Sequence, residues 1–145
     1  MINDNLALTG ALTIAINDEV VQETKNLVVT VGKGWVADRM NDANTVMTHM
    51  AIGTETTTIA ADPVAAGDTA LGTEADRNTL TSTTVSGNTI EYACTWAATD
   101  GTGAITEAGI FDASSAGDML ARTKFAVVNK GAADSMTITW TITVS

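Results

Sequence analysis

Residues 136–144 read Met-Thr-Ile-Thr-Trp-Thr-Ile-Thr-Val. A period of two puts Met136, Ile138, Trp140, Ile142 and Val144 on one face of a strand and Thr137, Thr139, Thr141 and Thr143 on the other. A helix cannot segregate the two sets in this way. Extended, the stretch spans roughly 30 Å, so it crosses most of a small domain and other strands must assemble over its apolar face. Burying that face contributes on the order of 7–15 kcal/mol, an upper bound because unfolded chains are partly collapsed. The threonine face is neither charged nor greasy and suits either water or a neighbouring protein.

The rest of the chain carries the same signature. It has 145 residues, one proline and only 17% charged residues, and its β-branched content favours strands. Residues 6–16 alternate large and small side chains, with Gly10 read as a bend or bulge. Asn17-Asp18 then turns the chain into 20–24, an N-terminal hairpin. Residues 46–53, 77–85, 89–97, 104–111 and 119–128 read as further strands. Ser86-Gly87-Asn88 is the clearest hairpin turn among them. In 119–128, Ala121, Thr123, Phe125 and Val127 share one face and Leu120, Arg122 and Lys124 the other. Turn signals recur about every 8–12 residues, which predicts an all-β fold. Residues 1–145 are expected to form a single antiparallel β-sandwich, jelly-roll-like, with one short α-helix at about 31–41. That helix would begin at Thr30 as N-cap and present Val31, Trp35, Val36, Arg39 and Met40. The expected core includes Trp35, Trp96, Trp140, Ile138 and Ile142.

Two things interrupt the pattern. Residues 54–74, built from Thr, Ala, Gly and Asp around Pro63, are long for a connection in a compact domain. They are read as a binding loop or arm, with Thr57, Thr58, Ile59, Pro63 and Val64 the candidates for touching a partner. Glu107 and Arg122 lie inside apolar segments that read as successive strands, where a charge is rarely left unpaired. They are expected to pair across the strands in a structural role, and Glu74 with Arg77 forms a second, more exposed candidate pair.

Several chemistries find no motif. The net charge of −10 opposes binding to nucleic acid and to anionic membranes. No apolar run approaches a membrane span, and the first residues lack a basic leader, so synthesis in a reducing cytosol is expected. Cys94 is the only cysteine and His49 the only histidine. That excludes an internal disulfide and a Cys-based zinc site, and both side chains read as ordinary strand residues. No serine stands in a nucleophile elbow. Asp62, Asp68, Glu74 and Asp76 have the oxygen donors that Ca²⁺ takes but not the spacing of an EF-hand loop, and read as solvated loop acids, with a Ca²⁺ site between subunits left open. Asp100-Gly101-Thr102-Gly103 lacks the lysine and helix of a phosphate cradle. No catalytic residue, cofactor or metal is expected.

Met50-Ala51-Ile52-Gly53-Thr54, Gly67-Asp68-Thr69-Ala70-Leu71-Gly72-Thr73-Glu74-Ala75-Asp76-Arg77, Gly103 to Asp112 and Leu120-Ala121-Arg122-Thr123-Lys124-Phe125 occur in this order. With Asn26 to Lys33 and the threonine-alternating end, this series resembles a family of small structural proteins of tailed bacteriophages. Members carry A-I-G-T-G, D-T-A-L-G-x-E, G-A-I-T-E-A-G-L-F and L-A-R-T-x-F segments. The chain departs from them at Glu55, Ile110 and Lys124. The resemblance implies a virion protein with no enzymatic activity. The favoured form is a capsid cement or decoration protein on the capsid exterior, binding the major capsid protein and itself as a dimer or trimer. The alternative is a tail-fibre, collar or baseplate component, for which a fibrous repeat or receptor-binding tip is expected and is not seen in these residues. A glycan hydrolase is disfavoured by the 4% aromatic content.

Overall fold

The computed structural model describes residues 4–43 and 45–145. Its elements are β1 (Leu8–Ile16), β2 (Glu19–Lys25), β3 (Leu27–Val28), α1 (Thr30–Met40), β4 (His49–Gly53), β5 (Glu74–Thr79), β6 (Ser82–Ser86), β7 (Thr89–Trp96), β8 (Gly103–Phe111), β9 (Met119–Lys130) and β10 (Met136–Val144). They form two five-stranded antiparallel sheets, β2-β1-β10-β7-β6 and β3-β9-β8-β4-β5. The β1–β10 and β3–β9 pairings wrap the end of the chain against its beginning, as in a jelly roll. The hairpins β1–β2, β6–β7 and β8–β9 each stay within one sheet.

The alternating C-terminal stretch is the middle strand of the first sheet. Trp140 stands opposite Leu12 and Tyr92, and Ile138 opposite Ile14 and Cys94. These side chains meet Met50, Ile52, Ile105, Ile110, Leu120 and Phe125 of the second sheet in one core, where Trp96, Trp140 and Ile138 are fully buried and Ile142 nearly so. The Trp140 indole donates to Asn26 Oδ1 at 2.6 Å. Gly10 is no bulge, because it stays in register with Ile142 and the irregularity of β1 falls between Ile14 and Ala15. Glycine is needed at 10 because the Asn26 side chain occupies the space of a Cβ.

Three details differ from the sequence expectation. Val29, not Thr30, is the N-cap of α1, and it makes no side-chain cap bond. Trp35 lies half-buried at the margin of the core, with its indole donating to the Thr45 carbonyl at 2.7 Å, and Met40 is 83% exposed. The helix approaches β9 through its backbone at Gly32, which is buried with no room for a Cβ beside the Leu120 carbonyl. That close approach leaves the larger helix side chains at the rim. Finally, residues 77–85 are not one strand: β5 ends at Thr79 in the second sheet and β6 begins at Ser82 in the first. Leu80 N–H bonds to Thr48 and Thr81 N–H to Ala93 at the crossover.

The two helix glycines make a paired test. Gly32→Ala is expected to lower stability by about 1–3 kcal/mol through overpacking, despite alanine's better helix propensity. At Gly34 nothing stands within 4 Å of a Cβ, so Gly34→Ala is expected to raise stability by up to about 1 kcal/mol. Urea denaturation of both variants checks the opposite signs.

Candidate docking surface

Residues paired directly across antiparallel strands project to the same face. Gly53 is opposite Glu107, Ala51 opposite Gly109, Glu107 opposite Lys124 and Gly109 opposite Arg122. Two carbons' worth of missing side chain, at Gly53 and Gly109, open space on the outer face of the second sheet. A Cβ at Gly53 would strike the Glu107 carboxylate, and one at Gly109 would press on Leu71, Phe111 and Met119.

Loop 54–73 lies over this face. Glu107 is fully buried. Its Oε2 accepts from Arg122 Nη2 at 2.7 Å, Arg122 Nε at 3.2 Å and the Gly72 N–H at 3.0 Å, while Oε1 accepts from the Thr73 N–H at 2.8 Å. Arg122 reaches on to Asp68 Oδ2 at 2.7 Å, an oxygen that also accepts the Ala65 N–H. Burial opposes the charge on Arg122, but the bonds to Glu107 and Asp68 hold its pKa above the ordinary arginine value. Lys124, also buried, donates to the carbonyl and carboxylate of Asp62 at 2.7 and 2.8 Å. Backbone bonds from Thr30 to Ala66 and from Thr54 to Thr73 fasten the loop further. Leu71 packs with Val29, Ala51, Phe111 and Met119 in a second small apolar cluster.

The four loop acids therefore do not gather. Asp62 and Asp68 hold Lys124 and Arg122, and Glu74 receives Arg77 in a two-pronged pair at 2.6 and 3.2 Å. Arg77 is well covered rather than exposed: it lies 3.8 Å over the Phe111 ring and donates to the Ala113 and Ala116 carbonyls. Among the described residues no group of three or more His, Cys, Asp or Glu is placed to hold a metal. His49 is half-buried in β4, in contact with the hydroxyls of Thr48 and Thr79. The Cys94 thiol, buried and facing the charges of Asp100 and Asp76, is pushed up to about 12 and donates to backbone carbonyls.

Asp76 is the remaining loop-flanking acid. Burial, then the neighbouring Asp100, raise its pKa above the ordinary 3.8, and Asn78 caps Asp100 at 2.7 Å. A carboxyl raised on folding adds stability below its unfolded pKa and loses it as the pH climbs through the folded one. Asp76→Asn is therefore expected to melt higher than wild type at pH 7, with the gap closing towards about pH 4. Melting curves at the two pH values check this, and an equal gap at both would contradict it.

The free side of the loop borders an apolar groove of about 630 Å³. Residues 54–59 form one wall, and Ala104, Thr106 and Phe125 to Val127 the other, where β9 bulges out of register with β8. Thr57, Thr58 and Ile59 come together on this wall. Pro63, exposed, and Val64, half-buried, lie outside it. Ile59 and Val127, 49% and 56% exposed, rim the opening. Lys124 also lines the groove, but its ammonium is held by Asp62.

No family model, curated protein or solved structure matches the chain. Segments 67–77, 103–112 and 120–125 converge in space. Asp68, Leu71 and Gly72 of segment 67–77, Glu107 and Gly109 of segment 103–112 and Arg122 of segment 120–125 are the parts that clamp the loop. Lys124 adds the Asp62 tether. Sequence reasoning missed Asp62, Asp68 and Lys130 as partners in buried contacts. Lys130 is buried with its ammonium on the Ala97 and Asp134 carbonyls. The available signal was the pair of cations two residues apart on one strand face, which calls for two anions or more.

Proposed function

We propose that this chain is a structural protein of a tailed-bacteriophage particle, and within it a cement protein docking on the outside of the major capsid protein lattice. The observation that carries the reading is the loop clamp. It is assembled from the resembling motifs and lays the loop that carries Ile59 beside Val127 of β9, giving an apolar rim for a protein partner. A pre-ordered loop loses little conformational entropy on docking. The charge of −10 suits a position away from the packaged genome. Contacts made only in the assembled shell would stabilise it by mass action.

Counting copies per purified particle tests the placement. Hundreds of copies are expected for cement, whereas a dozen or fewer at one vertex would favour a tail-fibre, collar or baseplate role. Add-back to capsids lacking the protein tests the groove. Ile59→Lys and Val127→Lys are expected to abolish binding with melting temperature unchanged, and wild-type binding by both would overturn the assignment of the groove.

A further inference from the structure

Each five-stranded sheet has two open edges, and an edge invites another strand unless it is guarded. The β2 edge carries Glu19, Glu23 and Lys25 and a bulge in its pairing. The β5 edge carries Glu74, Asp76 and Arg77. The β3 edge is two residues long and runs into α1. Only β6, Ser-Thr-Thr-Val-Ser, has no charge, no proline and no bulge, and all its residues are exposed. Val85 is 70% exposed although it stands opposite Ile90, which packs on the core. This end of the first sheet thus overhangs the second and leaves apolar surface uncovered.

We propose that β6 pairs antiparallel with β6 of a second copy of this chain, joining the two first sheets into one ten-stranded sheet about a twofold axis. Charge restricts the place, and the strand's self-complementarity selects the second copy. A chain of net charge −10 repels itself over most of its surface, and at β6 the nearest acid is Glu91, opposite Thr84 on β7. In the paired arrangement the two Glu91 side chains are three strand spacings apart, about 14 Å. That exceeds the screening length of about 8 Å at physiological salt. The strand is also self-complementary: centred on Thr84, the pairing sets each Thr83 opposite the other copy's Val85, both β-branched. In a two-residue hairpin the Ser86–Thr89 pair next to the turn is hydrogen-bonded, so Thr83 and Val85 aim their backbone groups outward. The contact is small, which places the dissociation constant in the micromolar range or weaker. This inference stands whether or not the chain works in a virion.

Sedimentation velocity on the full chain from about 1 to 500 µM tests it. Wild type is expected to pass from monomer to dimer across that range. Val85→Lys adds like charges to the joint, and Thr83→Pro removes an outward donor without touching the bonds to β7. Each is expected to weaken association at least tenfold, while Val20→Lys on the guarded β2 edge leaves it unchanged. Val85→Lys, at an exposed position, keeps the test valid if the proline variant fails to fold. A wild type that stays monomeric throughout overturns the proposal and leaves the edge to an extended segment of another protein. Association of Val85→Lys at wild-type strength, or its loss in Val20→Lys, overturns it equally.

Discussion

Glu107→Ala is expected to destabilise the fold by about 3–5 kcal/mol, measured by urea unfolding. The loss does not come from a strongly favourable ion pair, since desolvation of buried charges offsets most of their attraction. It comes from what the variant leaves behind: Arg122 inside the protein with only Asp68, and the Gly72 and Thr73 N–H groups without acceptors. Arg122→Ala is expected to cost a similar amount by stranding Glu107. Because each single variant orphans the other member of the pair, the double variant should cost less than the sum by about 1–3 kcal/mol. Glu107→Gln also fails to rescue, since an amide turns donors toward donors. The effect should persist in high salt, unlike that of the exposed Arg39–Asp42 pair, whose loss is expected to cost under about 0.5 kcal/mol.

Trp140→Ala is expected to cost about 3–5 kcal/mol, as large-to-small changes do in a close-packed core. Trp140 sits at the centre of the middle strand and is fully buried, so neighbours on both sheets would have to move to fill the space. Trp140→Phe separates the two contributions. It keeps most of the ring volume but leaves Asn26 Oδ1 without its donor, at a cost of about 1–3 kcal/mol. The same denaturation experiment reads both. Equal stability of Trp140→Phe and wild type would mean that the Asn26 bond contributes nothing net.

The strands were legible because a half-buried strand writes its two faces into the sequence as a period of two. Alternation placed Trp96, Ile138, Trp140 and Ile142 on their faces, and Gly87-Asn88 marked a tight hairpin. It could not say which sheet a strand joins, so the crossover at Leu80-Thr81, unmarked by glycine or proline, read as continuous strand. Alternation also fails where β9 bulges, which is why Val127 is exposed while Phe125 is buried. The Glu107–Arg122 pair was readable from two charges in apolar surroundings. Asp62 and Asp68 were not, because they stand in a loop with no period and reach partners 62 and 54 residues away. Long-range side-chain contacts of that kind leave no local trace. Trp35 was misplaced for a related reason: the helix packs by its smallest residue, Gly32, and a hydrophobic pattern cannot score an absent side chain.

Amide hydrogen exchange at Gly72 and Thr73 tests the clamp most directly. Both N–H groups end on the buried Glu107 carboxylate, so their exchange should require the loop to lift or the domain to unfold. Both are expected to exchange at least a thousandfold more slowly than in an unstructured peptide, and Glu107→Ala is expected to remove this protection while the Trp140 amide in β10 stays protected under native conditions. Exchange of Gly72 and Thr73 at peptide rates in the wild-type chain would mean that Glu107 does not hold the loop.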